Sequence, residues 1–268
     1  MTDRSQVCKT NGGKARRWRL APTAAPVGGH YTASELMTNA ARSTRRNLRW
    51  RAAVGLAQLG AGMVLALFLP GGFGWVEGWA FLVVFLLCSA LTTLYIERRD
   101  PALLERRLKA GFRTETRPRQ KAVQALASFA FSVAMVVPAL DHRFGWSHLP
   151  LGVVVLGDVL VVVGYFAVFQ VFRENTFASA LIEVGSEQRV IETGPYAMVR
   201  HPMYGSALLM LTGIPLALGS LWGLCVLPLF LALLVWRLID EETLLVQDLP
   251  GYDNYRQRVR YRLVPHLW

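Results

Sequence analysis

The sequence predicts an all-α, polytopic transmembrane helix bundle of about six segments. Apolar residues make up 53% of the 268 residues. They are gathered into long blocks rather than scattered, and Lys and Arg crowd into alternate connections between the blocks. A bilayer core takes about 20 apolar residues per helix, and roughly 17 suffice. Blocks at 52–69, 75–96, 122–140, 150–172, 203–219 and 221–237 reach that length.

The formal net charge of +11 follows the same layout. Basic residues concentrate at 42–51, 97–121 and 256–262, while 70–74 and 215–221 have none and 141–149 has only Arg143. Positive loops stay on the cytoplasmic side, so both termini and the 97–121 loop are expected there. Excess charge near a membrane attracts anionic headgroups, which makes membrane lipids the expected partner of these stretches. No basic groove interleaved with aromatic residues is visible, so nucleic acid is not an expected partner. Cys8, Cys88 and Cys225 stand far apart without CxxC spacing, so neither a metal site nor a disulfide framework is indicated.

Taken in order, residues 1–41 are polar, basic and without apolar period, which predicts a disordered cytoplasmic tail. Residues 42–121 hold the first two spans and a cytoplasmic amphipathic segment, and 122–268 hold a core of four spans with a C-terminal cytoplasmic segment. Pro70-Gly71-Gly72 stops the first span, and Trp75 and Trp79 open the second at interfacial depth. In 101–108, Leu104 and Leu108 lie four apart amid Arg, the pattern of a short helix on the membrane surface. Residues 141–146 read as a polar turn. Asp158 falls inside the fourth span, where an ionisable side chain is expensive, and a structural role facing the bundle is expected. Asn175 reads as a helix cap. The fifth and sixth spans are joined only through Leu218-Gly219-Ser220, which predicts a tight antiparallel hairpin. Tyr252, Tyr255, Val259 and Leu263 share one helical face of the tail.

That hairpin would bring two polar motifs together. The first, Gly194-Pro195-Tyr196-Ala197-Met198-Val199-Arg200-His201-Pro202-Met203-Tyr204, leads into the fifth span; the second, Arg237-Leu238-Ile239-Asp240-Glu241-Glu242, leaves the sixth. Proline is favoured at the first helical position and biases the residue before it away from helical geometry. Arg200 and His201 would therefore stand at a helix N-terminus, where free N–H groups and the dipole favour an anion. An isolated Arg-His-Pro reads as an interface anchor, and an isolated Glu-Glu as a solvated pair. Together they make a lip with both cationic and anionic groups, suited to a zwitterion such as S-adenosylmethionine.

These residues, followed by Glu241-Glu242-Thr243-Leu244-Leu245 and Leu249-Pro250-Gly251-Tyr252, resemble the C-terminal core of the isoprenylcysteine carboxyl methyltransferases and related phospholipid methyltransferases. The resemblance runs from about the third span to the C-terminus. It implies S-adenosyl-L-methionine as cofactor, with His201, Pro202, Met203 and Tyr204 lining its site, Tyr196 and Arg200 nearby, Gln188, Val190 and Ile191 in a contacting segment, and Glu242 as the acidic contact. Arg237 would orient a carboxylate acceptor, and Glu241 would serve an amine acceptor. The implied acceptor is a lipophilic or lipid-modified molecule. An isoprenylcysteine-like carboxylate leads and a phospholipid amine is the alternative. A dinucleotide-dependent membrane reductase, and a transporter or scaffold without catalysis, are the competing classes.

Overall fold

A computed structural model of the chain describes residues 33–109, 118–177 and 189–268, with 33–44 as backbone only. Among them eight α-helices follow in order: α1 Ala33–Gly71, α2 Val76–Arg99, α3 Pro101–Lys109, α4 Pro118–Phe144, α5 Leu151–Glu174, α6 Pro202–Ala217, α7 Leu227–Asp248 and α8 Tyr252–Arg258. Single 3-10 turns, Gly194–Ala197 and Trp222–Val226, precede α6 and α7. The described residues contain no strand.

Five segments are long and apolar enough to cross a membrane: α1 from Arg45, α2, α4, α5, and α7 with its preceding turn. The chain is an integral membrane protein. The sixth expected span, α6, has 16 residues, about 24 Å at the helical rise, and falls short of a hydrocarbon core of about 30 Å.

Four other boundaries differ from the sequence reading. α1 is already helical at Ala33, inside the stretch expected to be disordered, while residues 1–32 lie outside the described residues. α4 continues to Phe144, through the expected polar turn. α7 continues to Asp248, so Arg237, Glu241 and Glu242 stand on a helix rather than on an exiting chain. The tail helix stops at Arg258, because the strand-like segment after it pairs with the lead-in to α6 instead of coiling.

One apolar core joins six helices: Phe68 of α1, Phe81 and Phe85 of α2, Met135 of α4, Val161 of α5, Ile214 of α6 and Phe230 of α7 pack together. The outer surface is apolar as well, with Leu65, Val83, Leu91, Phe129, Val155 and Phe166 exposed. A helix that is apolar on all sides belongs in lipid.

The closest helix pair is α5 and α6, and glycine sets the approach. A Cβ on Gly157 would stand 2.1 Å from the Ala217 amide nitrogen, one on Gly213 would stand 2.7 Å from the Gly157 carbonyl oxygen, and one on Gly164 would stand 2.3 Å from Met210 Cγ. Small residues let membrane helices approach to backbone contact, where dispersion replaces the hydrophobic effect as the attraction. At the end of the bundle away from the basic clusters, buried Asp141 ties α4 to the α6–α7 connection. It accepts hydrogen bonds from the Ser147 amide at 2.6 Å, the Ser147 hydroxyl at 2.7 Å and the Ser220 hydroxyl. Together these contacts fix where α6 begins, and that is where the polar motif lies.

Gly157→Val should lower the thermal midpoint in nanodiscs sharply, by a loss of at least about 3 kcal/mol, since backbone atoms cannot yield as side chains do. Gly152→Val, on the same helix with nothing within 4 Å of a Cβ, should leave the midpoint nearly unchanged. Equal effects would show that the α5–α6 approach is not the constraint.

Candidate functional site

The lead-in to α6 folds as its residues dictate. Gly194 takes φ +58, and a side chain there would strike Glu174 Cγ at 2.5 Å. The 3-10 turn Gly194–Ala197 follows, and His201 caps α6 with φ −125 and ψ 62, so that Pro202 opens the helix. The C-terminal segment runs alongside this lead-in. The Arg200 amide donates to the Tyr261 carbonyl and the His201 amide to the Arg262 carbonyl, both at 2.9 Å.

Behind the lead-in sits a buried ion cluster centred on Glu242. Its Oε1 lies 3.0 Å from Arg200 Nε and 3.2 Å from His201 Nε2, and its Oε2 accepts from Arg262 Nε at 3.0 Å. Arg200 approaches without the alignment of a hydrogen bond, so that contact is one of charge. The arginine and histidine side chains are buried, whereas Arg262 is about a third exposed. The sequence reading made Glu242 the acidic contact of the cofactor. Here it turns away from the cavity described next, and two arginines and a histidine of its own chain surround its carboxylate.

Glu241, one residue earlier, faces that cavity. Its Oε2 accepts the Tyr204 hydroxyl, whose oxygen accepts Arg237 Nε at 3.1 Å. Arg237 Nη1 lies 3.5 Å from Gln120 Oε1, and Gln120 Nε2 donates to Asp240 Oδ2 at 2.5 Å. Gln120 is fully buried, and no motif in the sequence marked it. The expected catalytic pair thus belongs to one hydrogen-bonded chain linking α4, α6 and α7.

The cavity itself measures about 1260 Å³. At the basic end its wall carries Val190, Ile191, Tyr196, Arg200, His201 and Pro202, together with Met203 and Tyr204. The structure therefore brings together every cofactor-site residue named from the sequence except Glu242, displaced as described, and Gln188, which lies outside the described residues. Between the helices the same cavity continues along α1, α2, α4 and α5, past Leu56, Leu59, Thr92, Ser128, Phe131 and Val168. Tyr252 and Tyr255 of α8 complete the wall at the basic end. Tyr252, 4% exposed, holds a hydroxyl enclosed without a hydrogen-bond partner. The Tyr255 hydroxyl donates to the Tyr196 carbonyl at 2.8 Å. Asn175 caps α5 and also lines the cavity, donating Nδ2 to the Tyr196 hydroxyl at 2.8 Å. Asp158 stays remote from this wall, half-buried on α5, with one carboxyl oxygen enclosed and unpartnered.

Residues 153–249 match the family model of phospholipid methyltransferase. That segment, about a third of the chain, is similar to a family that is part of the isoprenylcysteine/phospholipid methyltransferase superfamily. No curated protein sequence matches the chain. The matched segment covers most of α5, all of α6 and α7, and so includes the lead-in, the glycine contact and the Glu241–Glu242 pair. α1 to α4, which wall the intramembrane half of the cavity, lie outside it.

Replacing Glu242 by Gln should cost about 3–5 kcal/mol, the effect of stranding buried cations, whereas Arg262→Ala should cost at most about 1 kcal/mol, given its exposure. Thermal unfolding in nanodiscs checks the order, and a larger loss from Arg262→Ala would contradict the geometry. Burial also pushes the Tyr196 phenol up to about 12, with the Asn175 bond opposing and the Glu241 charge adding. Burial raises Tyr252 and Tyr255 in the same direction. A raised phenol favours the neutral form, so this stability is complete below about pH 10, the ordinary tyrosine value, and is lost as pH rises through the folded value. Alkaline unfolding followed by circular dichroism should be less steep in Tyr196→Phe than in wild type. An unchanged slope would mean that Tyr196 is not titrating with the fold.

Proposed function

We propose that the cavity holds S-adenosyl-L-methionine at its basic end and the chain of a lipophilic acceptor between the helices, with the two meeting near Tyr204. The supporting observation is the continuity of the two environments in a single space. Its volume of about 1260 Å³ exceeds the roughly 300–1,000 Å³ of a site for one small molecule. The donor set at the basic end suits the cofactor. The N-terminal end of α6, whose dipole favours an anion, meets the cavity at Pro202 and Met203, Glu241 stands ready for an ammonium, and the enclosed Tyr252 hydroxyl needs an acceptor. The Glu242 cluster acts from behind the wall by holding Arg200 and His201 in place.

When bound, the cofactor supplies a sulfonium methyl whose transfer to a carboxylate oxygen leaves a thioether and an ester, both neutral. A dry chamber favours that loss of charge. A carboxylate nucleophile needs positioning rather than a base. Arg237, fixed by Tyr204 and Gln120, is placed to orient one through paired hydrogen bonds. An isoprenylcysteine-like carboxylate is therefore the leading acceptor. A phospholipid amine is the second reading, favoured by the position of Glu241, whose carboxylate on the cavity wall can take up the proton such an amine must lose. The family match favours methyl transfer over reduction by a dinucleotide. In this reading the basic end, with both termini, faces the cytoplasm, from which the cofactor enters.

Calorimetry of the full-length protein in nanodiscs should detect S-adenosylmethionine binding, weakened about tenfold or more by His201→Ala and by Glu241→Gln, each removing a charged or polar contact. A folded wild type that does not bind it would end this reading.

A further inference from the structure

We propose that the acceptor carries a hydrogen-bond-accepting oxygen, carbonyl or ether, part-way along its apolar chain, and that the Ser89–Tyr165 hydroxyl pair in the intramembrane half of the cavity binds it. The proposal rests on the two-part use of the cavity argued above and deepens it. Whichever head is methylated, it concerns the chain behind that head.

The helices that wall this half sort their residues by face. Every serine and threonine of α2 and α4 lines the cavity: Ser89, Thr92 and Thr93 on the first, Ser128 and Ser132 on the second. Spacings of three and four residues put each group on one helical face. The same helices expose Val83, Leu87, Leu91, Leu126 and Phe129. A chamber for plain hydrocarbon has no use for this sorting, because lipid and an apolar chain make the same demand on a helix surface.

The serine and threonine hydroxyls of α4 and α6 are settled within their own helices. Ser128 donates to the Gln124 carbonyl at 2.8 Å and Ser132 to the Ser128 carbonyl at 3.1 Å. Ser206 donates to the Pro202 carbonyl at 2.7 Å and Thr212 to the Leu208 carbonyl at 2.9 Å. Ser89 breaks the pattern. It is 8% exposed, and its Oγ lies 2.6 Å from the Tyr165 hydroxyl, on α5. The Tyr165 ring stands edge-on to Phe85 with centroids 5.3 Å apart, which fixes the hydroxyl in place.

Two hydroxyls carry two hydrogens, and the bond between them uses one. Among the described residues neither oxygen has a further partner. One O–H is thus left over inside a membrane-spanning bundle, where an unmet donor is costly. Both residues line the cavity, so the group that takes this hydrogen comes from whatever fills it. An oxygen with a lone pair answers the need, and a methylene does not. The depth is legible too. Met203, next to Tyr204, packs on the cluster that contains Ile96. Ser89 lies two helical turns, about 11 Å, deeper along α2, so the oxygen belongs well below the head.

The test uses full-length protein in neutral detergent and two probe series, built on octadecanoate and octadecylamine. Each contains the saturated chain and chains with a carbonyl or an ether oxygen at an upper, a middle or a lower position. In at least one series, wild type should favour one position over the saturated chain by about three- to tenfold, the effect of one hydrogen bond. Ser89→Ala with Tyr165→Phe should abolish that preference and leave the saturated chain within about twofold of wild type. Ser89→Ala alone should keep part of it, because the Tyr165 hydroxyl retains its hydrogen. A pair that only joins α2 to α5 would weaken saturated and oxygenated chains alike when removed, and that result overturns the proposal. So does a wild type that binds the saturated chain as tightly as every oxygenated one, a gain equal at all positions, or binding of neither series. The ranking of carbonyl against ether decides which oxygen is read. S-adenosylmethionine affinity, measured on the same samples, separates the two ideas. A wild type that shows the positional preference but does not bind S-adenosylmethionine would sink the methyltransferase reading alone. One that binds S-adenosylmethionine without the preference would sink this proposal alone.

Discussion

The site hangs on one buried carboxylate. Glu242 collects Arg200 and His201 from the lead-in to α6 and Arg262 from the C-terminal segment. Those three side chains come from two distant stretches of chain, whose arginines would otherwise repel one another. A charge removed from water costs several kcal/mol unless its partners are well placed, so the carboxylate in effect dictates that both stretches arrive together. The backbone pairing of Arg200 with Tyr261 and of His201 with Arg262 follows once they have met. At the far end of the bundle, Asp141 does comparable work with hydroxyls instead of cations. The bundle is thus pinned by one acidic group at each end, with glycine contacts between α5 and α6 setting its middle.

Much of this was legible in the chain because membranes impose coarse rules. Apolar length and the placement of Lys and Arg located the second, third and fourth spans to within a few residues, while the first and last helices run well past their apolar blocks, and Pro202 located the start of α6. The missed features depend on direction instead. Glu241 and Glu242 are neighbours in sequence, yet consecutive helical residues point ~100° apart, and composition cannot say which one meets the cavity. Leu104 and Leu108 announced an amphipathic α3, but its docking depends on Phe172 and Ile96, far away along the chain. Gln120 carries no motif at all. The tail showed a helical period through Leu263, and main-chain pairing with the α6 lead-in prevailed over that local preference beyond Arg258.

The division of labour along the chain has a physical logic. The polar end of the cavity is built from α6, α7 and α8, which are tied to one another and to the C-terminal segment by ion pairs and main-chain bonds. The rest of the wall comes from α1, α2 and α4, whose contribution is mostly Leu, Thr, Ser and Phe. The first set needs fixed geometry and the second needs mainly shape. The family model matches α6 and α7 of the first set and stops short of the second.

The shortness of α6 changes what the bilayer must do around the protein. Its 16 residues cover about 24 Å, while α5 beside it has 24 residues, about 36 Å by the same rise. A leaflet facing this mismatch sags toward the shorter helix at a cost of fractions of a kcal/mol per ångström. The shortfall lies at α6, whose lead-in carries Arg200 and His201. The thickness of the host membrane therefore bears on the packing of this part of the bundle, through the length of one helix.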